Sequence, residues 1–155
     1  MKNIFYYETK IGKLGISDEN GAISSIIFKE KSLDGYSIAE TGLIKEAKQQ
    51  LDEYFEGKRK CFDLPLNPHG TQFQKKVWKV LLEIPYGKTV SYKDIAEKCA
   101  CPLGYRAVGM ANNKNPIPVI IPCHRVIGKN GKLVGYAGGL AIKSMLLKIE
   151  QSAKD

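Results

Sequence analysis

The chain has 155 residues, of which 43% are hydrophobic and 26% charged, with a formal net charge of +8. These values suit one compact unit or two small ones, with a core large enough to fold without staples. They exclude a disordered chain, and no apolar run approaches the ~20 residues a membrane span needs.

MKNIFYYETK has no apolar core and no small-residue cleavage site, so no secretion signal is expected. Cys61, Cys99, Cys101 and Cys123 then read as reduced thiols of a cytoplasmic protein. The charge is uneven. Residues 1–68 carry 10 Lys+Arg against 11 Asp+Glu, whereas residues 69–155 carry 14 against 5. A basic field confined to one half points to a polyanion, with nucleic acid first and an acidic membrane surface second.

In chain order, Ile4 to Tyr7, Leu14 to Ile16 and Ile23 to Phe28 read as strands, with Asn20-Gly21 as a hairpin turn. Over 42–56 the period becomes helical, and Leu43, Ile44, Ala47, Leu51, Tyr54 and Phe55 share a face that stops at Gly57. Nothing in this first part looks catalytic. Residues 58–70 read as the connection between two modules. Thr71 and Gln74 form a capping box for a helix carrying Phe73, Val77, Val80, Leu81 and Ile84, ended by Pro85-Tyr86-Gly87. Ser91 caps a short helix, and Pro102 fits the first turn of the next, a helix-turn-helix spacing. Asn130-Gly131 marks a hairpin between Val126-Ile127 and Leu133-Val134, a wing. A last helix places Ile142, Met145, Leu146 and Ile149 on one face.

Chemistry concentrates at Pro122-Cys123-His124-Arg125. A thiol attacks as its thiolate, and an apolar run opposes ionisation. An adjacent His124 can take the proton, and a carboxylate orienting the imidazole would complete a Cys/His/acid relay. The acids available nearby are Glu83, Asp94, Glu97, Glu150 and Asp155. Taken alone, the adjacency also fits a buried structural cysteine. Cys99-x-Cys101 lacks zinc-knuckle spacing and the chain has two histidines, so no metal site is expected. Arg106 to Ala111 is poor in base-reading side chains, which suits backbone and shape recognition. Gly109 could equally pack under a neighbouring helix. Tyr92 sits at a helix N-terminus, a position that favours phosphate or half-buried packing.

Phe73-Gln74 with Trp78, Ile84-Pro85-Tyr86-Gly87 with Thr89 and Ser91-Tyr92, Arg106-Ala107-Val108-Gly109, Asn115-Pro116, Pro122 to Val126, and Gly135-Tyr136 with Gly138-Gly139 follow in this order. Over residues 71–150 the chain resembles the O6-alkylguanine-DNA alkyltransferases. The resemblance implies an α+β fold, with a ribonuclease-H-like N-terminal domain over 1–68 and a winged helix-turn-helix domain over 69–155. It implies a DNA-repair methyltransferase acting on double-stranded DNA, as a monomer without cofactor or membrane. O6-alkylguanine, with O4-methylthymine as a further candidate, would be flipped out of the duplex. Its alkyl group would pass irreversibly and stoichiometrically to Cys123.

By the same resemblance, His124 accepts the thiol proton, Glu150 orients His124 and Asn115 braces the turn. Tyr92 rotates the adjacent phosphate and protonates guanine N3. Arg106 fills the space the base leaves, and Ala107, Gly109 and Ala111 allow close approach, with Arg125 a further DNA contact. Tyr136, Val134, Gly135, Ala137 and Gly138 line the base pocket. Ala137 stands where some relatives carry a serine that contacts guanine O6, which bears on tolerance of bulky alkyl groups. Zinc-binding Cys/His residues and a transcription-activating module are missing. Three competitors remain: an alkyltransferase-like binder, which would lack Cys123; a winged-helix regulator, which would need polar base readers; and a thiol hydrolase, which would need an oxyanion hole.

Overall fold

The structure, a computed structural model, describes residues 1–128, 131, 133–136 and 138–152. Strands β1 (Lys2–Thr9), β2 (Gly12–Glu19) and β3 (Ala22–Ile27) form an antiparallel meander. Asn20 and Gly21 turn it at φ 51° and 83°, the left-handed pair that matches strand twist. A two-residue β4 (Ser37–Ile38) adds in parallel to β1, giving the order β3-β2-β1-β4. Helix α1 (Gly42–Phe55) lies on the sheet and buries Ile44, Ala47, Leu51, Tyr54 and Phe55. That i, i+3, i+4 spacing is the face the sequence predicts. Leu51→Ala would cost about 2–5 kcal/mol at such a site. Thr41 caps α1 by accepting from the Ile44 N–H, and its hydroxyl donates to Asp18. Asp18 also accepts from Asn3, so one buried carboxylate ties the helix start to two strands.

The segment read as a connection is not a free linker. Ile23 donates to Pro65 and accepts from Asn67, which covers the outer edge of β3. Further along the same edge, Ile26 donates to Pro116 of the second half. One continuous core runs through both halves.

Helix α2 (Gln72–Leu81) has the Thr71/Gln74 capping box. It ends three residues before Ile84, which is nevertheless buried. Strand β5 (Val90–Ser91) leads into α3 (Tyr92–Lys98), capped by Ser91 with Asp94. The next helix begins later than Pro102 suggests. Ala100 takes φ 58°, Gly104 donates to Cys101, and this turn must close before α4 (Tyr105–Asn113) can start. Trp78 Nε1 donates to the Ala111 carbonyl and locks α2 to α4.

The expected wing hairpin is corrected. Strand β6 (Val126–Ile127) pairs in parallel with β5, and Leu133–Val134 forms no strand. Asn130 lies outside the described residues. Helix α5 (Leu140–Ser152) is also rotated from its expected face. It buries Lys143, Leu146 and Glu150, while Met145 is 37% exposed. Two charged side chains therefore point inward, an arrangement that marks a functional site.

Candidate active site

Helix α4 ends at Lys114, and a tight loop carries the chain to a 3₁₀ turn at Cys123–Arg125. Asn115 is the brace. Its side chain accepts from Ile117 N at 3.0 Å and donates to Ile121 O at 2.8 Å. Within the loop Val119 takes φ 74°. A β-branched residue there costs about 1–3 kcal/mol, tolerated where the surroundings over-determine it. Here burial of Ile117, Val119 and Ile121 and the Asn115 clasp do so. Cys123 is presented at the end of this loop, 4% exposed.

His124 and Glu150 are both buried, and His124 Nε2 lies 2.6 Å from Glu150 Oε2. Of the acids predicted for this role, Asp94 instead caps α3 and Asp155 lies outside the described residues. Burial would raise the Glu150 pKa, but hydrogen bonds from His124, Arg125 and Tyr54 overcome it and hold the group at about 2. An ionised carboxylate only accepts, so Nε2 carries the imidazole proton. Nδ1 is then the lone-pair nitrogen. It is buried and has no hydrogen-bond partner among the described residues. Burial also lowers the His124 pKa, against the pull of Glu150, so the ring is neutral and ready to accept a proton. Burial pushes the Cys123 thiol up to about 11, opposed by Asn115 and by the Lys143 charge. The resting thiol is therefore protonated and needs that base.

Three placements differ from expectation. Arg125, expected on the DNA face, is buried. Its guanidinium donates twice to Glu150, at 2.9 and 3.0 Å, and once to Ile84 O at 2.7 Å. A buried carboxylate needs a paired cation, and Arg125 meets that need. Ala111 is 2% exposed and faces α2, so it offers no surface for close approach. The first half, expected to be inert, sends Tyr54 into the site to donate to Glu150. Lys143 is also new here: its ammonium bridges Val126 O and Val134 O at 2.7 and 2.8 Å, joining the cysteine turn to the neighbouring loop. Neither residue has a local sequence signal.

Tyr92, Tyr105, Arg106, Gly109, Asn113, Val134 and Gly135 line an open depression of about 330 Å³. Arg106 and Ala107 are exposed on α4. A Cβ added at Gly109 would meet only Tyr92, at an ordinary 3.9 Å, so packing does not require glycine there. The Tyr92 hydroxyl donates to Val134 O over a long 3.3 Å and is free to exchange. Tyr136 is half-buried, with its hydroxyl buried and without a partner among the described residues. Gly138 lies so close to Phe28 of the first half that a Cβ would sit 3.1 Å from its ring. Ala137 lies outside the described residues. Among the described residues, no three His, Cys, Asp or Glu side chains are grouped to hold a metal ion.

Residues 4–68 match the ribonuclease-like domain of 6-O-methylguanine DNA methyltransferase, and residues 72–152 match its DNA-binding domain. A methylated-DNA–protein-cysteine methyltransferase of Methanosarcina mazei is 50% identical over 138 residues, 87% of each chain. The constitutive one of Bacillus subtilis is 47% identical over 152 residues, 93% of this chain and 92% of that one. A crystal structure of Mycobacterium tuberculosis OGT in complex with DNA is similar with a TM-score of 0.92 and 41% identity, covering 97% of this chain and 94% of that one.

Proposed function

The chain belongs to the 6-O-methylguanine DNA methyltransferase family and is a methylated-DNA–protein-cysteine methyltransferase, and from that premise we propose how its residues divide the work. Cys123 is the accepting thiol and His124 its base. The carrying observation is the Glu150 carboxylate on His124 Nε2, which leaves Nδ1 as the acceptor next to the cysteine turn.

Duplex DNA meets the basic second half, an attraction that weakens steeply with salt. Helix α4 enters the minor groove, and Arg106 fills the space left by the flipped base. Extrusion costs a few kcal/mol, recovered by stacking and hydrogen bonds in the pocket. Tyr136, Val134, Gly135 and Gly138 line that pocket, with Ala137 between them. The thiol proton passes to His124 Nδ1, directly or through one water, and Glu150 stabilises the imidazolium. The thiolate then attacks the alkyl carbon, the C–O6 bond breaks, and the electron pair returns to the purine. Tyr92 gives up its bond to Val134, protonates guanine at N3, and is reprotonated from the imidazolium. The net change is alkyl to sulfur and thiol proton to base, which balances without a cofactor. The thioether is a poor leaving group, so each molecule acts once. O6-alkylguanine is the substrate, with O4-methylthymine a second one.

The protein acts as a cytoplasmic monomer; among the described residues no helix is long and apolar enough to cross a membrane. Cys123→Ala tests the assignment. It should keep lesion binding in a gel-shift assay and lose all transfer. Residual transfer would place the nucleophile elsewhere.

A further inference from the structure

We infer that Tyr54, on α1 of the first half, is a positioning residue for the transfer step, its hydroxyl fixing Glu150 in the orientation that holds His124. The inference rests on the reading of Cys123 and His124 given above. Glu150 is a crowded acceptor. Its Oε1 accepts from Gly87 N at 3.1 Å and Arg125 Nε at 2.9 Å. Its Oε2 accepts from Arg125 Nη2 at 3.0 Å, His124 Nε2 at 2.6 Å and the Tyr54 hydroxyl. A carboxylate has about four lone-pair positions, so five donors compete for its charge.

Tyr54 is not an incidental neighbour. It is fully buried, with no water to turn to, and its hydroxyl lies 3.4 Å from His124 Nε2. Its ring packs among Phe55, Phe62 and Tyr86, with centroids 5.8, 5.4 and 6.2 Å away, which fixes the direction of the hydroxyl. The proton must stay on Tyr54, because burial and the Glu150 charge both oppose its loss. It is therefore a permanent donor.

The consequence has a definite sign. Charge that Glu150 shares with Tyr54 is withheld from the imidazole. Without that hydroxyl, Glu150 acts more fully on His124, the imidazolium gains, and His124 becomes protonated at higher pH. Besides Glu150, the groups around His124 are Lys143 from α5 and Arg125 from its own turn, while Tyr86, from the loop after α2, faces Glu150 and Arg125. None of these is hydrogen-bonded to the Tyr54 hydroxyl. The first half thus tunes the base of the second.

The test uses the full chain, whose two histidines, His69 and His124, make ring NMR simple. Tyr54→Phe should bind duplex as before. Its His124 titration and the acid limb of its transfer rate should both move up by about one pH unit, the size expected for one hydrogen bond to a charged group. Incorporating 3-fluorotyrosine at Tyr54, which keeps the ring and strengthens the donor, should move both downward. If Tyr54→Phe fails to fold, the fluorotyrosine protein decides. A uniform rate loss with an unmoved His124 titration, or no shift with fluorotyrosine, overturns the inference. Failure of the unmodified protein to transfer would instead overturn the functional reading.

Discussion

The buried relay and the exposed face around α4, proposed above to meet DNA, are built on opposite principles. In the relay, Tyr54, His124, Arg125 and Glu150 are all buried, and Glu150 alone accepts from four residues. Around α4, Leu103, Tyr105 and Met110 are 88%, 49% and 67% exposed, and Arg106 makes no ion pair among the described residues. The chemistry is assembled before substrate arrives, which lowers the reorganisation needed in the transition state. The face around α4 is left exposed, as a surface that meets a duplex would be.

Breaking the relay should give the largest effects. Glu150→Gln should slow transfer by about 10²–10⁴-fold, the usual contribution of a positioned base. It should also destabilise the fold by about 3–5 kcal/mol, because Arg125 is left as a buried unpaired charge. Single-turnover kinetics and urea unfolding measure the two.

The two arginines sharpen the contrast. Arg125→Met should cost stability of the same order as Glu150→Gln and leave the salt dependence of binding unchanged. Arg106→Met should leave stability within about 0.5 kcal/mol, yet reduce the log–log salt slope of duplex binding by about 1. Arg106→Ala should slow repair in duplex about 10-fold and leave reaction with free O6-benzylguanine unchanged; equal losses would remove its role in flipping.

Acid should destabilise the fold through the relay. Glu150 titrates lower in the folded chain (about 2) than its ordinary 4.5. Its contribution is thus complete above 4.5 and lost as pH falls toward 2. His124 is also held below its ordinary 6.5, so the unfolded chain binds that proton more readily and stability falls from 6.5 downward. Both signs agree. Thermal melts should drop below pH 6.5 and more steeply below 4.5, with Glu150→Gln showing a smaller second step, since Asp94 and Glu53 are also held low. The smallest expected change is Met110→Ala, which should move stability by no more than about 0.5 kcal/mol.

Local chemistry was legible in the sequence. The Thr71/Gln74 box, the Ser91 cap and the Asn20-Gly21 turn each depend on a few adjacent residues, and each lies where it was read. Cys123 and His124 were legible as neighbours, whereas Glu150 was one of five candidate acids until the family pattern singled it out. Arg125, placed on the DNA by the resemblance, turns out buried, and only its packing against Glu150 shows this. Ala111 was misread because a short helix leaves its buried face uncertain by one position. The parallel pairing of β5 with β6 joins residues 36 positions apart and carries no turn signal. Tyr54 and Lys143 were hidden for the same reason: their partners are 96 and 17 positions away.

The most direct test mixes the protein with a duplex containing one O6-methylguanine and reads intact mass with peptide mapping. The account predicts one added methyl, on the peptide holding Cys123, saturating at one per protein. An unmodified protein that still binds the lesion, or a methyl on another residue, would contradict it.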